Sequence, residues 1–160
     1  DSHEIDDIFE GWLKVLIENK LLLQEGDTIV RPVIGSDQFV QLSILSRFII
    51  QTLERYYISV AILIQEGSGQ LNASQLEKQS TQMAERMSIL FGLNAPEFFD
   101  KALFRNFINK LQEKNVVTTN AEDKLEYGEQ IERVSDDARF VLNSELRQAI
   151  TQVTSLEAIK

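Results

Sequence analysis

The chain has 160 residues, a length that suits one domain of ordinary size or two small modules that share a core. Hydrophobic residues make up 43% and charged residues 26%, with only 7 Gly and 2 Pro, which excludes disordered, collagen-like and low-complexity proteins. The absence of Cys excludes disulfide scaffolds, thiolate metal sites and thiol nucleophiles, and it fits a reducing, cytosolic setting. A net charge of −9 disfavours binding to nucleic-acid phosphates and to anionic lipid.

Apolar residues at helical spacing predict a first amphipathic helix over about residues 5–19. Glu25-Gly26-Asp27 then lies between two short apolar runs, which predicts a small β-hairpin that ends at Pro32. After Gly35-Ser36-Asp37, which offers a helix cap, a broad apolar pattern predicts a helix of almost thirty residues. Because this helix is apolar around much of its circumference, we expect it to be central and to end at Gly67-Ser68-Gly69.

The long helix is not expected to cross a membrane. Its charged residues leave no uncharged run longer than Tyr56–Gln65, whereas a spanning helix needs about 18 to 20 apolar residues. The first residues, Asp1-Ser2-His3-Glu4, are polar and acidic, unlike the basic and then apolar start of a signal peptide. We therefore expect a soluble chain.

The next segment predicts two further helices. Ser74-Gln75-Leu76-Glu77 has the spacing of a capping box, which predicts a helix that runs to Gly92. Asn94-Ala95-Pro96-Glu97 predicts another helix start, because it combines a cap residue, an early Pro and an acidic residue. That helix is expected to reach Lys114, with Asp100 as the candidate break.

The last segment predicts a second hairpin and a closing helix. Two short strands, over 116–119 and 125–134, flank a polar turn at 120–124, and the helix covers Ala138–Val153. The fold class is therefore mainly α, with two small β-hairpins and a long central helix.

The two halves of the sequence show a possible repeat. With an offset of 95 positions, apolar residues of the first helix superpose on apolar residues of residues 103–111, which favours two helix–hairpin–helix units packed on the long helix. The alternative is that any helix followed by a strand pairs apolar positions in this way. We assign residues 1–65 and 66–160 to the two units of one compact domain. The superposed pairs are Ile8/Leu103, Phe9/Phe104, Trp12/Phe107, Leu13/Ile108 and Leu16/Leu111.

A helix followed by a hairpin is also typical of winged-helix proteins. A winged-helix protein that binds DNA needs a cationic helix and usually a basic wing. The second hairpin region, residues 120–137, is instead acidic, with only Lys124 and Arg133 as basic residues. We therefore expect no nucleic-acid partner, although such folds also serve protein interactions.

The sequence supplies few candidates for catalysis. Its only His, His3, lies close to a chain end and is interpreted as a frayed surface residue. The carboxylates of Asp6/Asp7 and of Asp136/Asp137 are adjacent in sequence, so they point to different faces of a helix and cannot share a proton. We therefore predict no catalytic, cofactor-binding or metal-binding residue.

Two further groups of residues have a structural and a functional interpretation. Met83 and Met87 are expected to pack in the core rather than to line an acyl-chain groove. Four cations are suited to an acidic carrier or a phosphate, but four carboxylates cancel their charge: Lys78, Arg86, Lys101 and Arg105 against Glu77, Glu85, Glu97 and Asp100. A solvated surface of mixed charge is therefore the expected structure.

Four segments resemble a known family. Leu53-Glu54-Arg55-Tyr56-Tyr57, Leu76–Ser80, Ala84–Ser88 and, above all, the long run Gly92–Ala102 are similar to the C-terminal region of bacterial membrane-bound glycerol-3-phosphate acyltransferases. The resemblance covers most of the chain. It implies a fragment of a larger enzyme that moves a fatty acyl group from acyl-CoA or acyl carrier protein to the 1-position of glycerol 3-phosphate. This reaction is the first step of phospholipid synthesis, at the cytoplasmic face of the inner membrane.

The catalytic signature of that family is a His separated from an Asp by four residues, and it is not found here. His3 is followed at the corresponding position by Ile8, so the acid–base pair is expected in an upstream catalytic domain. We interpret the chain as a non-catalytic C-terminal domain that needs no cofactor and that braces the catalytic domain or docks a partner such as acyl carrier protein. Membrane association is expected through the parent protein.

The predicted interaction surface lies at the start of the helix after Gly92. Its residues are Asn94, Pro96, Glu97, Phe98, Phe99 and Lys101. Two alternatives stay open. A regulatory ligand- or protein-binding module predicts a concave apolar pocket between the two halves, and a winged-helix nucleic-acid binder is the less favoured reading.

Overall fold

The computed structural model describes residues 2–91 and 99–157. It divides into two compact units, unit 1 (Asp1–Ile49) and unit 2 (Ile50–Lys160). The strands form two separate antiparallel pairs, so the prediction of a mainly helical chain with two small hairpins is confirmed. The elements are α1 (Ser2–Glu18), β1 (Leu23–Glu25), β2 (Thr28–Val30), α2 (Asp37–Glu66), α3 (Ala73–Phe91), α4 (Lys101–Glu113), β3 (Val117–Thr119), β4 (Leu125–Tyr127), α5 (Glu129–Val141) and α6 (Ser144–Glu157).

Unit 1 contains α1, the first hairpin and the beginning of α2. The hairpin has the tight turn that the sequence predicts, because Glu25 pairs with Thr28 and only two residues join the strands. Gly26 takes a φ of +61°, a left-handed conformation that favours glycine. The predicted turn is therefore confirmed.

Helix α2 begins and ends at the predicted residues. The Ser36 hydroxyl accepts a hydrogen bond from the backbone N–H of Phe39 at 3.2 Å, which caps the helix. At the other end Gly67 has a φ of +93°, and its N–H donates to the carbonyl of Leu63 at 3.0 Å. None of the described helices is long and apolar enough to cross a membrane.

The two halves of α2 differ in burial. From Arg55 to Leu63 most side chains are buried, and this part of the helix lies in the core of unit 2, as expected for a central helix. Between Val40 and Ile49 most apolar side chains are exposed instead, and Leu42 is partly buried. The expectation of a central helix therefore holds only for the second half of α2.

The core of unit 2 combines helices with the second hairpin. Ser59 of α2 and Ser80 of α3 are fully buried, and their hydroxyls are 2.8 Å apart. The loop between α2 and α3 lies against strand β4, because the N–H of Leu125 donates to the carbonyl of Leu71 at 2.7 Å. This pairing covers an edge of the hairpin that would otherwise be open. The largest fully buried apolar side chains are Phe104, Ile58, Leu63, Leu76, Met83, Met87, Ile108, Leu125, Ile131 and Ile150.

The cap of α3 differs from the prediction. Asn72 and Gln75 form the reciprocal pair: the N–H of Asn72 donates to Gln75 Oε1 at 2.9 Å, and the N–H of Gln75 donates to Asn72 Oδ1 at 2.8 Å. The predicted box at Ser74 and Glu77 is therefore wrong. Asn caps as well as Ser does, and a start at Asn72 adds a backbone hydrogen bond from Leu76.

The C-terminal prediction also needs correction. Strand β4 ends at Tyr127 rather than at residue 134, and two helices, α5 and α6, replace the predicted helix over 138–153. The break lies at Leu142, which has an extended ψ of 145°. Asn143 then caps α6 by accepting a hydrogen bond from the N–H of Glu145 at 2.8 Å.

The order helix–hairpin–helix occurs twice, as α1-β1-β2-α2 and as α4-β3-β4-α5. The second hairpin has a longer turn, in which Asn120 Oδ1 accepts hydrogen bonds from the N–H groups of Glu122 and Lys124. This order agrees with the predicted repeat. A resemblance to winged-helix proteins is not confirmed.

Candidate interaction surfaces

Only part of the predicted interaction surface can be placed. Phe99 is partly buried and packs against the core of unit 2. Lys101 begins α4, and the preceding Asp100 caps that helix by accepting a hydrogen bond from the N–H of Ala102 at 2.8 Å. Phe99 therefore belongs to the packing of unit 2, whereas the side chain of Lys101 is exposed. Four residues of the surface lie outside the described residues: Asn94, Pro96, Glu97 and Phe98.

Glu77 holds α3 and α4 together. Its carboxylate lies 3.1 Å from Lys101 Nζ and accepts two hydrogen bonds from Arg105, at 2.8 Å from Nε and 3.0 Å from Nη2. The hydrogen bond from Arg105 lowers the pKa of Glu77, although burial opposes this shift. Glu77 is 7% exposed, whereas the side chains of Lys101 and Arg105 are 60% and 57% exposed, so the expected solvated surface holds for the two cations but not for Glu77.

Unit 1 exposes large apolar side chains. On α1, Ile8, Phe9, Trp12 and Val15 have the spacing of one helical face, and Trp12 is 66% exposed. Pro32 is the only buried residue among the described side chains of unit 1. We call this set the unit 1 apolar surface: Ile8, Phe9, Trp12, Val15, Ile29, Val33, Ile34, Val40, Ile44, Leu45, Phe48 and Ile49.

Unit 2 contains an apolar pocket of about 290 Å³. The ring of Tyr56 forms part of its wall and stacks on Phe107, with ring centroids 4.3 Å apart. The lining joins residues of the two halves assigned from the sequence, 1–65 and 66–160, as the regulatory hypothesis predicts. The pocket is lined by Leu53, Tyr56, Tyr57, Val60, Phe107, Val134, Asp137, Ala138, Val141 and Leu142.

Arg55 is a buried cation of α2 that does not line this pocket. It is 9% exposed, and its Nε has no hydrogen-bond partner. Its Cζ lies 5.8 Å from the centroid of the Tyr56 ring, and no carboxylate among the described residues forms an ion pair with it. Buried charges are normally paired, so this guanidinium is suited to an anion that the described chain does not supply.

The residues considered for catalysis are separated. Asp137 lines the apolar pocket, whereas Asp136 lines a second, polar cavity with Arg147, so the two carboxylates face different directions as predicted. The side chain of His3 is outside the described part of the structure. Within the described residues, no group of three His, Cys, Asp or Glu side chains could hold a metal ion.

Arg55 and the unit 1 apolar surface are not predicted as sites, and a pocket is expected only under the regulatory alternative. A signal for Arg55 was present, because it lies at helical spacing with Ile58 and Ile62 on the buried face of α2. The sequence offers no comparable signal for the exposed residues of unit 1, since their apolar pattern is that of an ordinary core-facing helix.

Comparison with known proteins places the chain in a family. A family model described as the glycerol-3-phosphate acyltransferase C-terminal region matches residues 1–120. The chain is 46% identical over 151 residues to glycerol-3-phosphate acyltransferase of Pseudomonas putida (strain GB-1), and 45% identical over 151 residues to that of Pseudomonas aeruginosa (strain LESB58). Each alignment covers 94% of this chain but only 18% of the relative. No solved structure matches the chain significantly. The chain therefore belongs to the glycerol-3-phosphate acyltransferase family and corresponds to its C-terminal region.

Proposed function

We propose that this chain is a non-catalytic C-terminal region of a glycerol-3-phosphate acyltransferase, and that unit 1 docks it against the remainder of the same polypeptide. The longer enzyme transfers an acyl group to glycerol 3-phosphate, the activity for which the relatives are named. The observation that carries the proposal is the unit 1 apolar surface. The membrane association implied by the family resemblance is assigned to the longer enzyme.

So many exposed apolar side chains indicate that another surface covers them in the longer enzyme. Burial of one large apolar side chain contributes about 1.5 to 3 kcal/mol, so a surface of twelve such residues is costly to leave in water. The chain spans about 18% of the length of the relatives that it matches, and a polypeptide of that length would supply a partner of sufficient size.

The repeat offers an internal comparison. At the offset of 95 positions, Phe9 of α1 corresponds to Phe104 of α4, which is fully buried, whereas Phe9 is 64% exposed. Leu13, which is partly buried, corresponds to Ile108, which is 2% exposed. The same apolar face is thus more exposed in α1 than in α4, which supports a covering partner for α1.

The absence of a catalytic role is supported by the sequence. The chain has a single His, and Ile8 stands where the family signature requires an Asp. We expect no acyl transfer when the 160-residue chain alone is incubated with glycerol 3-phosphate and an acyl donor. Transfer by this chain would contradict the non-catalytic assignment.

The docking role can be tested in the intact enzyme that contains this sequence. The substitutions Phe9→Glu and Trp12→Glu together are expected to reduce acyltransferase activity at least tenfold and to increase proteolytic cleavage near unit 1. The matched control is Phe140→Glu, because Phe140 is equally exposed, at 73%, but lies in unit 2.

Two results would contradict docking by unit 1. The first is wild-type activity and protease resistance in the double variant. The second is an equal loss in the Phe140→Glu control, because that loss would reflect a general effect of a charge on an exposed apolar residue. The isolated chain should carry the double substitution with little loss of stability in unit 2.

A further inference from the structure

The apolar pocket of unit 2 is lined mainly by two helices. The lining residues of α2 and those of α5 each follow the spacing i, i+3, i+4 and i+7, so each helix presents one face to the pocket. Phe107 of α4 and Leu142 complete the described lining. The two rows are Leu53, Tyr56, Tyr57 and Val60 of α2, and Val134, Asp137, Ala138 and Val141 of α5.

The size and burial of the pocket suit an alkyl chain. Its volume of about 290 Å³ is roughly twice the ~150 Å³ of a cavity that binds benzene, so a chain of about ten carbons fits. Each row of lining residues covers about 10 Å along its helix, which favours an extended ligand over a compact one. Val60 and Leu142 are buried, whereas Leu53 and Val134 are 41% and 49% exposed, so apolar side chains extend from the buried part of the pocket to its entrance.

Asp137 determines which charge a ligand of this pocket can carry. It is the only charged side chain among the described lining residues, and it is exposed. A cationic group placed at Asp137 gains an ion pair, whereas an anionic group is repelled. The remaining charged side chains of α5 are three carboxylates and two guanidiniums, so the helix as a whole is acidic.

We propose that this pocket binds a single alkyl chain with a cationic amine head, the chain lying between α2 and α5 and the ammonium group at Asp137. The stacked rings of Tyr56 and Phe107 form part of the wall against which the chain packs. An anionic lipid is disfavoured, because no lining residue that the structure describes is a cation. This inference does not depend on the docking of unit 1.

The charge of the head can be tested with three ligands that share one alkyl chain. We would titrate the 160-residue chain with decylamine, decanol and decanoate at neutral pH and low ionic strength, below their aggregation limits, and measure heats of binding. We expect decylamine to bind about threefold more tightly than decanol and decanoate to bind about threefold more weakly, because one exposed charge pair changes an affinity by about this factor. Added salt should reduce both differences.

Two pairs of variants locate the head and the chain. Asp137→Asn is expected to remove the preference for decylamine and to leave decanol binding unchanged. Asp136→Asn is its matched control and should bind like the wild type, because the adjacent carboxylate is also exposed but lines the separate polar cavity. Val134→Trp is expected to weaken the binding of all three ligands at least tenfold, because it fills the entrance of the pocket. Its control is Ile89→Trp, at a residue of unit 2 that is 81% exposed and outside the pocket, and this variant should also bind like the wild type.

The possible results decide the two parts of the proposal. Equal affinity of the wild type for decylamine and decanol, or tighter binding of decanoate, would overturn the cationic head. An equal loss of decylamine affinity in Asp136→Asn and Asp137→Asn would overturn it as well, because that loss would reflect only the net negative charge of the chain. Undetectable binding, or binding that Val134→Trp leaves unchanged, would overturn the pocket. If Val134→Trp does not fold, Leu53→Trp fills the same entrance and decides in its place.

Discussion

Glu77 is a carboxylate that has exchanged water for two cationic partners, so its contribution to stability depends on pH. Because the contacts with Arg105 and Lys101 lower its pKa, Glu77 stabilises the fold at pH values above the ordinary carboxylate pKa, and this stabilisation is lost as the pH falls through the lowered value. We expect Glu77→Gln to lower the free energy of unfolding at pH 7 by about 1 kcal/mol. Urea unfolding at pH 7 and at pH 3 measures the difference.

The matched control for this prediction is Glu129→Gln. Glu129 lies 3.3 Å from Arg133, but both side chains are about four-fifths exposed, and exposed pairs contribute little. The free energy of unfolding of Glu129→Gln should differ from that of the wild type by less than about 0.5 kcal/mol at either pH. A Glu77→Gln variant that loses as much stability at pH 3 as at pH 7 would show that packing, rather than charge, is responsible.

The hydroxyls of Ser59 and Ser80 form a buried contact between two helices. Both residues are fully buried, so removing one hydroxyl leaves the other without that partner. Each single Ala substitution is therefore expected to lower the free energy of unfolding by about 1 kcal/mol. The double variant should lower the free energy of unfolding by less than the sum of the two single effects, with a coupling energy of about 1 kcal/mol measured by urea unfolding. Strict additivity would mean that the hydrogen bond contributes nothing.

Individual side chains were predicted well where the local pattern decides their environment. Met83 and Met87 were assigned to the core from their helical spacing, and they are buried. Glu77 is predicted both as part of a helix cap and as a carboxylate that offsets the charge of Arg105, which lies 28 positions further along the chain. Its burial is not predicted, because burial depends on how α3 packs against α4.

Helix α3 provides a test of which residues start a helix. Asn72 accepts the hydrogen bond from the N–H of Gln75, while Ser74 lies within the helix and is exposed. We therefore expect Asn72→Ala to lower the free energy of unfolding by about 1 kcal/mol, and Ser74→Ala, the matched control, to leave it unchanged or slightly higher. Thermal unfolding followed by circular dichroism distinguishes them. The reverse order of the two effects would restore the cap predicted from sequence.

Helices and strands whose boundaries depend on nearby turn or cap residues were predicted most accurately. The first hairpin is determined by a two-residue turn with Gly26 in a left-handed conformation, and both ends of α2 carry their own caps. The division between α5 and α6 lies at Leu142, a buried apolar residue with no breaker character. The local signal for that boundary is Asn143, which caps α6 and which the prediction of one continuous helix overlooks.

For the chain as a whole, the sequence was sufficient for the fold class and the family but not for the distribution of burial. Apolar periodicity predicts that one face of a helix will be buried, but it does not identify the segment that buries it. In α4 that face, with Phe104, lies in the core of unit 2, whereas Phe9 of α1, which the offset of 95 positions aligns with it, is exposed. The proposed partner of α1 lies in a longer polypeptide, so no pattern within 160 residues could identify it.

The difference in burial between the units predicts that they unfold separately. Unit 1 contributes no residue to the described core, so its helices have little tertiary stabilisation in this chain. The aromatic residues allow a direct measurement, because Trp12, the only Trp, reports unit 1, whereas Tyr56, Tyr57 and Tyr127 all lie in unit 2. We expect the fluorescence of Trp12 to be that of an exposed indole and to change at a lower urea concentration than the tyrosine signal. Coincident transitions would show that the 160 residues unfold as one cooperative body, and they would remove the need for a partner that covers the unit 1 apolar surface.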